Sequence, residues 1–264
     1  MQRLRNLLNL KGASAAAPLG TAALPRPKSP VCILGDVHGC LTLLDLMLQR
    51  IAQESGLNMA RLIFVGDLID RGPDSCGVLN RVRGLIQAAP ERVICLLGNH
   101  ERMLLDVLDD PARHAPRWLL HGGAETLASY GLSARAPHPG GHQDADFAAL
   151  AADLRAVLPA GLEAWLRGLP LWWQDGDLVV VHAAADPRRA MAAQTEQTLL
   201  WGHRDFRKLP RRDGLWLAHG HVIVPAAVAT AGRIAVDTGA YKTGRLSAAW
   251  LSKDGVRFLE VSAA

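Results

Sequence analysis

Cysteine is scarce in this sequence, and no motif is built from it. Its 264 residues include four, Cys32, Cys40, Cys76 and Cys95, and no two form a C-x-x-C pair. A thiolate metal site and a disulfide scaffold are therefore not expected. The four are read as reduced thiols, and the chain as cytoplasmic. No apolar run reaches the ~18–20 residues needed to cross a bilayer, and residues 1–30 have no continuous apolar stretch of the secretory kind. No membrane role is expected. Acidic residues are absent before Asp36, whereas Arg3, Arg5, Lys11, Arg26 and Lys28 precede it. Removing those five from the 29 basic residues leaves 24 against 25 acidic ones. The formal charge of +4 therefore belongs to the N-terminal stretch, and a near-neutral body argues against nucleic acid as a partner. Residues 1–29 read as a flexible basic arm. Residues 30–264 read as one domain, a length sufficient for a substantial core. Trp172, Trp173 and Trp201 read as core or cleft wall.

The first half of the chain alternates. Residues 31–35, 61–65 and 92–97 read as strands, with helices at 41–54 and 74–89 between them, which argues for an α/β sheet. Residues 101–109, 124–130 and 147–168 carry helical spacing, so a helical, loop-rich insertion is expected near 102–168. The Gly- and Pro-rich stretch 131–144 reads as a loop. After Pro170, strands are expected at 177–182, 215–219, 226–229, 233–236 and 246–251.

Each of five apolar runs ends on polar residues of one kind. "CILG" delivers Asp36 and His38, "LIFVG" delivers Asp67, and "ICLLG" delivers Asn99 and His100. "DLVVV" delivers His182, and "LWLAHG" delivers His221. In open α/β sheets, ligands bind beyond the carboxyl ends of the strands. Oxygen and nitrogen donors without thiolate suit Mn, Fe or Zn better than Ca. The set is too large for one open site, and two ions sharing a carboxylate would use it economically.

Three motifs, "GDVHG" (35–39), "GDLIDRGPDS" (66–75) and "GNHE" (98–101), occur in order and about thirty residues apart. They resemble the signatures of the metallo-dependent phosphoprotein phosphatase family, within the calcineurin-like metallophosphoesterases. "VVHAAADPRRAMAAQTEQTLLWGHRDF" (180–206), "HGHV" (219–222) and "IAVDTGAYKTGRLSA" (234–248) resemble its bacterial branch. The resemblance implies a four-layer α/β/β/α sandwich of two mixed sheets and a two-metal centre, most readily Mn with Fe or Zn as alternatives. Asp36, His38 and Asp67 would hold one ion, and Asp67, Asn99, His182 and His221 the other. A bridging hydroxide would attack phosphorus, His100 would protonate the leaving oxygen, Asp70 would orient His100, and Arg71 would grip phosphate.

The family's second phosphate-binding arginine sits in a W-x-R segment. Here "LWGHRDF" puts His203 in that place, and Arg204, one residue later, is the candidate. His121 and His219 have no assigned role. The implied activity is hydrolysis of phosphoserine and phosphothreonine, with tyrosine specificity open, in proteins or small phosphoesters. The alternatives are a dinucleoside polyphosphate hydrolase, whose group tends to read "GDLVARGP" and "GNHD", and a non-catalytic metal-binding module. Asp70 is the residue that discriminates the first alternative.

Overall fold

The computed structural model describes residues 24–53, 60–133 and 143–263. Strand β1 (Val31–Leu34) leads through α1 (Leu41–Ala52), β2 (Arg61–Phe64), α2 (Ser75–Ala88) and β3 (Val93–Cys95) to α3 (Asn99–Asp109). This is the expected alternation. A helical stretch follows, made of α4 (Pro111–Trp118), a π-helical turn (Leu119–Gly123), α5 (Ala124–Ser129), α6 (Gln143–Val157) and α7 (Leu162–Arg167). The helix expected over 147–168 is thus two helices, parted at Pro159, which has no N–H to continue the ladder. Of the loop expected at 131–144, residues 134–142 lie outside the described residues.

The second half contains β4 (Trp172–Asp175), β5 (Leu178–Val181), α8 (Glu196–Trp201), β6 (Trp216–His219), β7 (Val228–Thr230), β8 (Arg233–Ala235), α9 (Ala240–Thr243), β9 (Arg245–Ser252) and β10 (Gly255–Ser262). Strands β4 and β10 were not expected. Both are edge strands with few buried residues, so neither carries the apolar pattern that marks a central strand.

The strands form two five-stranded sheets, in the orders β10-β9-β1-β2-β3 and β4-β5-β6-β8-β7. Both are mixed. β1, β2 and β3 run parallel, with β9 antiparallel to β1. β5, β6 and β8 run parallel between the antiparallel edges β4 and β7. Period-two alternation along the buried strands builds the layers. Val31, Ile33, Ile63, Leu178, Val180, Ala218 and Ile234 fill the space between the sheets. Cys32, Leu34 and Phe64 point to the opposite face of the first sheet and meet Leu44, Met47, Leu79 and Leu104 of its helices. Val179, Val181 and Leu217 do the same on the second sheet, against Leu199, Met191 and Phe206. The four-layer α/β/β/α sandwich is therefore the one expected. No helix among the described residues is long and apolar enough to cross a membrane.

Most of the expected basic arm, residues 1–23, lies outside the described residues. Residues 24–29 are docked. The Arg26 N–H donates to Asp177 Oδ1 at 2.6 Å, and the N–H groups of Lys28 and Ser29 donate to Asp175 Oδ2 at 3.1 and 3.3 Å. Leu24 packs against the inter-sheet core. The packed domain thus begins before residue 30, because two acidic residues at the β4–β5 hairpin accept backbone donors that composition alone does not reveal.

Candidate metal centre

All of the proposed ligands lie at or just beyond strand ends. Asp36 and His38 follow β1, Asp67 follows β2, and Asn99 and His100 form the first turn of α3 after β3. From the second sheet, His182 follows β5 and His221 follows β6. Except for His221, which is partly buried, they are buried. Among the described residues six non-glycine residues have positive φ, and five of them are here: His38, Asp67, Asp70, Arg71 and His221. Such conformations cost roughly 1–3 kcal/mol each and persist where the surroundings over-determine them. One such constraint is Glu101, whose buried carboxylate accepts N–H groups from Asp67 (2.9 Å), Leu68 (2.7 Å), Ile69 (3.3 Å) and Gly98 (3.0 Å). Gly220 is a second. A Cβ there would lie 1.9 Å from Asp36 Oδ1, so only glycine lets β6 approach that carboxylate.

Asp67 lies at the middle. Its Oδ2 is 3.6 Å from His38 Nε2 and 3.9 Å from His100 Nε2, and its Oδ1 is 3.4 Å from His182 Nε2. Two groups of donor atoms, each within 4.8 Å of one another, share it: His38, Asp67 and His100, and Asp67, His182 and His221. His100 is set apart from the ligands by its bond to Asp70. Asn99 Oδ1 lies 2.8 Å from both His182 Nε2 and His221 Nδ1. Asp36 is fixed through Oδ2 by the His221 N–H at 2.9 Å, and its buried Oδ1 has no hydrogen-bond partner among the described residues.

These residues fit divalent ions. His38 and His182 donate Nδ1–H to the carbonyls of Ile69 and Val65, at 2.8 and 2.9 Å. That leaves each Nε2 as a lone pair aimed at the cluster, the usual arrangement of a metal-binding imidazole. Burial lowers the pKa of His38 to about 3 and that of His221 to about 4, so both rings are neutral, as ligands must be. Burial, with repulsion from Asp237 and Asp67, pushes Asp36 well above the carboxylate range. Burial also raises Asp237 to about 6. Neutral imidazoles around crowded carboxylates make a site that cations would stabilise. Asp237 sits just past β8, a further strand end delivering a carboxylate. It was not singled out in the sequence, although the same strand-end pattern could have found it.

His100 is held differently. Its Nδ1–H donates to Asp70 Oδ2 at 2.6 Å, and its buried Nε2 has no hydrogen-bond partner among the described residues. Burial lowers its proton affinity, but the Asp67 and Asp70 carboxylates outweigh that and raise it above the ordinary value. Asp70 is itself fully enclosed. Trp118 Nε1–H donates to both of its oxygens, at 3.1 and 3.0 Å, and Thr126 Oγ1–H donates to Oδ1 at 2.6 Å. Trp118 ends α4 and Thr126 lies in α5, so the helical stretch after α3 supplies the walls around Asp70. Neither residue carries a motif that would have marked it in the sequence.

Arg71 Nη1 lies 3.0 Å from His38 Nε2, at the edge of the cluster. Arg204 is elsewhere in its contacts. Its side chain is 88% exposed, and its ion partner is Asp205, at 3.9 Å. His203 faces Asp186, at 3.8 Å, rather than a proposed ligand. The phosphate-binding role expected for Arg204 has no geometric support, because the chain after α8 turns this residue to solvent. His219 is buried against Phe206 and donates to the Gly220 carbonyl, and His121 donates to the Arg117 carbonyl.

The Metallophos family profile, described as calcineurin-like phosphoesterase, matches residues 29–225. Serine/threonine-protein phosphatase 1 of Salmonella typhimurium is 38% identical over 93 residues, 35% of this chain and 38% of that protein. The symmetrical bis(5'-nucleosyl)-tetraphosphatase of Azotobacter vinelandii is 31% identical over 191 residues, 69% of this chain and 54% of that protein. The chain thus spans from about a third to about half of the length of these curated relatives. A solved structure described as a putative diadenosine tetraphosphatase superposes with a TM-score of 0.62 at 22% identity, covering 92% of this chain and 97% of that one. A fold of two mixed sheets with a shared-carboxylate cluster at their strand ends, together with a family match over most of the chain, leads to one conclusion: the chain belongs to the calcineurin-like phosphoesterase family.

Proposed function

We propose that the chain hydrolyses phosphoesters at a centre of two divalent ions, Mn²⁺ being the first choice, held by Asp36, His38, Asp67, Asn99, His182 and His221. When bound, such ions supply a water of lowered pKa as nucleophile and charge to neutralise phosphoryl oxygens. The protein's own groups do the rest. Arg71 binds a phosphoryl oxygen at the edge of the cluster. His100 gives the proton on Nε2 to the leaving oxygen, and Asp70 keeps the opposite nitrogen protonated and the ring aimed.

The observation that carries the substrate class is the Asp70–His100 pair. A carboxylate 2.6 Å from an imidazole raises its proton affinity and fixes its tautomer. A proton held ready on a pre-aimed ring matters most when the leaving oxygen is basic, as in an alcohol. That supports phosphomonoesters of serine or threonine, in proteins or small molecules.

The second reading is symmetrical cleavage of dinucleoside tetraphosphates, whose leaving phosphate needs a proton less. The relatives weigh toward it, since the longer alignments are to proteins of that name. Comparing kcat/KM for a phosphoserine peptide with that for diadenosine tetraphosphate, after chelation and Mn²⁺ reconstitution, decides between them. A preference for the peptide supports the first reading, and a preference for the tetraphosphate overturns it in favour of the second.

A further inference from the structure

Tyr241 has no place in the ligand set or in the acid pair, yet it touches both sides of the phosphate-facing edge. Its ring meets the His38 ring edge-on, with centroids 5.2 Å apart. The Arg71 guanidinium carbon lies over the same ring, 4.8 Å from its centroid. Arg71 is otherwise held at its backbone, where its N–H donates to the Gly122 carbonyl at 3.2 Å. Gly122 has φ 106°, inside the π-helical turn, and a Cβ there would lie 2.6 Å from the Arg71 nitrogen and 2.8 Å from its Cγ. The stem of Arg71 thus runs across bare glycine backbone. Its charged end meets the Tyr241 ring face and the His38 Nε2, the latter at 3.0 Å.

The His38 contact is not available while that nitrogen serves as a metal ligand. The aromatic face then remains as the support for the guanidinium. A cation held over an aromatic ring gains most when it is partly desolvated. A flexible arginine also loses rotamer freedom when it binds an anion, and a platform that confines it beforehand lowers that cost. Tyr241 is 37% exposed, so its ring is a surface feature of the cleft and not a core element.

We propose that Tyr241 is a positioning residue that presents Arg71 to the phosphoryl group. The inference rests on the reading of Arg71 as a phosphate contact. Tyr241 acts through Arg71 and makes no demand on the chemistry of the leaving group.

The test is binding of inorganic phosphate to the Mn²⁺-loaded full chain by titration calorimetry, without turnover. Wild type, Tyr241→Ala, Tyr241→Phe, Arg71→Ala and the Arg71→Ala/Tyr241→Ala double variant are compared. Tyr241→Ala should weaken phosphate binding by roughly 3–30-fold, the span of a cation–π contact from exposed to desolvated. Tyr241→Phe keeps the ring face and should restore binding to within about twofold. Tyr241→Ala should add nothing once Arg71 is gone, because the two act as a unit. Unchanged binding in Tyr241→Ala, or an equal loss in the Arg71→Ala background, would overturn the inference. Absence of phosphate binding by the loaded wild type would overturn the hydrolase reading as well, and so the two failures are told apart.

Discussion

The Nδ1 of His100 lies 2.6 Å from Asp70 Oδ2, and the Trp118 and Thr126 side chains occupy the rest of that carboxylate. Asp70 therefore has one place to put its charge, the ring of His100. Asp70→Asn keeps the shape but replaces a carboxylate acceptor with an amide. The expected loss is on the order of 10-fold in kcat on a phosphoserine peptide, below the ~10²–10⁴ of removing an acid outright. Bound metal, measured by elemental analysis, should be unchanged. A loss of metal would make Asp70 part of the ion site instead.

Asp67 stands between the two groups of donor atoms. Asp67→Asn should lower metal content at both positions together and abolish turnover, since one shared ligand is lost to each ion. Two ions per chain with near-normal rate would contradict the shared-carboxylate arrangement.

Glu101 binds four backbone N–H groups around the Asp67 turn. Glu101→Gln keeps its size but turns one oxygen into a donor facing donors. Unpaired buried N–H groups cost ~1–3 kcal/mol each, so a loss of about 2–4 kcal/mol and a fall in Tm on the order of 5–15 °C are expected. Thermal unfolding of the metal-free protein measures this directly. A Tm equal to wild type would show that the positive-φ turn holds without Glu101.

The docked segment 24–29 allows a simple comparison. A chain starting at Leu24 should unfold at the wild-type temperature. One starting at Pro30 loses three backbone donors to Asp175 and Asp177 and should lose roughly 2–4 kcal/mol, at about 1 kcal/mol for each hydrogen bond plus the packing of Leu24. Equal unfolding temperatures would mean that the docking contributes nothing.

The candidate cluster was legible because its signals are local. A polar residue immediately after an apolar run marks a strand end, and five such ends converge once the strands pair. The sheets were legible for the same reason in their centres, where residues such as Val31 and Ile33 are buried, and not at their edges, where β4 and β10 bury little. What encloses Asp70 was not legible. Trp118 and Thr126 lie about fifty residues further along the chain, and only the packing of the helical stretch brings them back. Tyr241 and Asp237 lie within residues 234–248, but the contact of Tyr241 with Arg71 and the repulsion of Asp36 by Asp237 are tertiary. Arg204 is the opposite case. Its neighbourhood in sequence suggested a role, and Asp205 and solvent claim its side chain.

His100 carries the account, and its leaving-group dependence tests it most directly. The measurement is kcat of wild type and His100→Asn on a phosphoserine peptide and on p-nitrophenyl phosphate, with bound metal quantified. A serine alkoxide needs the proton and a nitrophenolate does not. The peptide reaction should fall by ~10²–10⁴-fold, the nitrophenyl reaction distinctly less, and metal content should remain near wild type. Equal losses on the two substrates, or loss of metal, would contradict His100 as the proton donor.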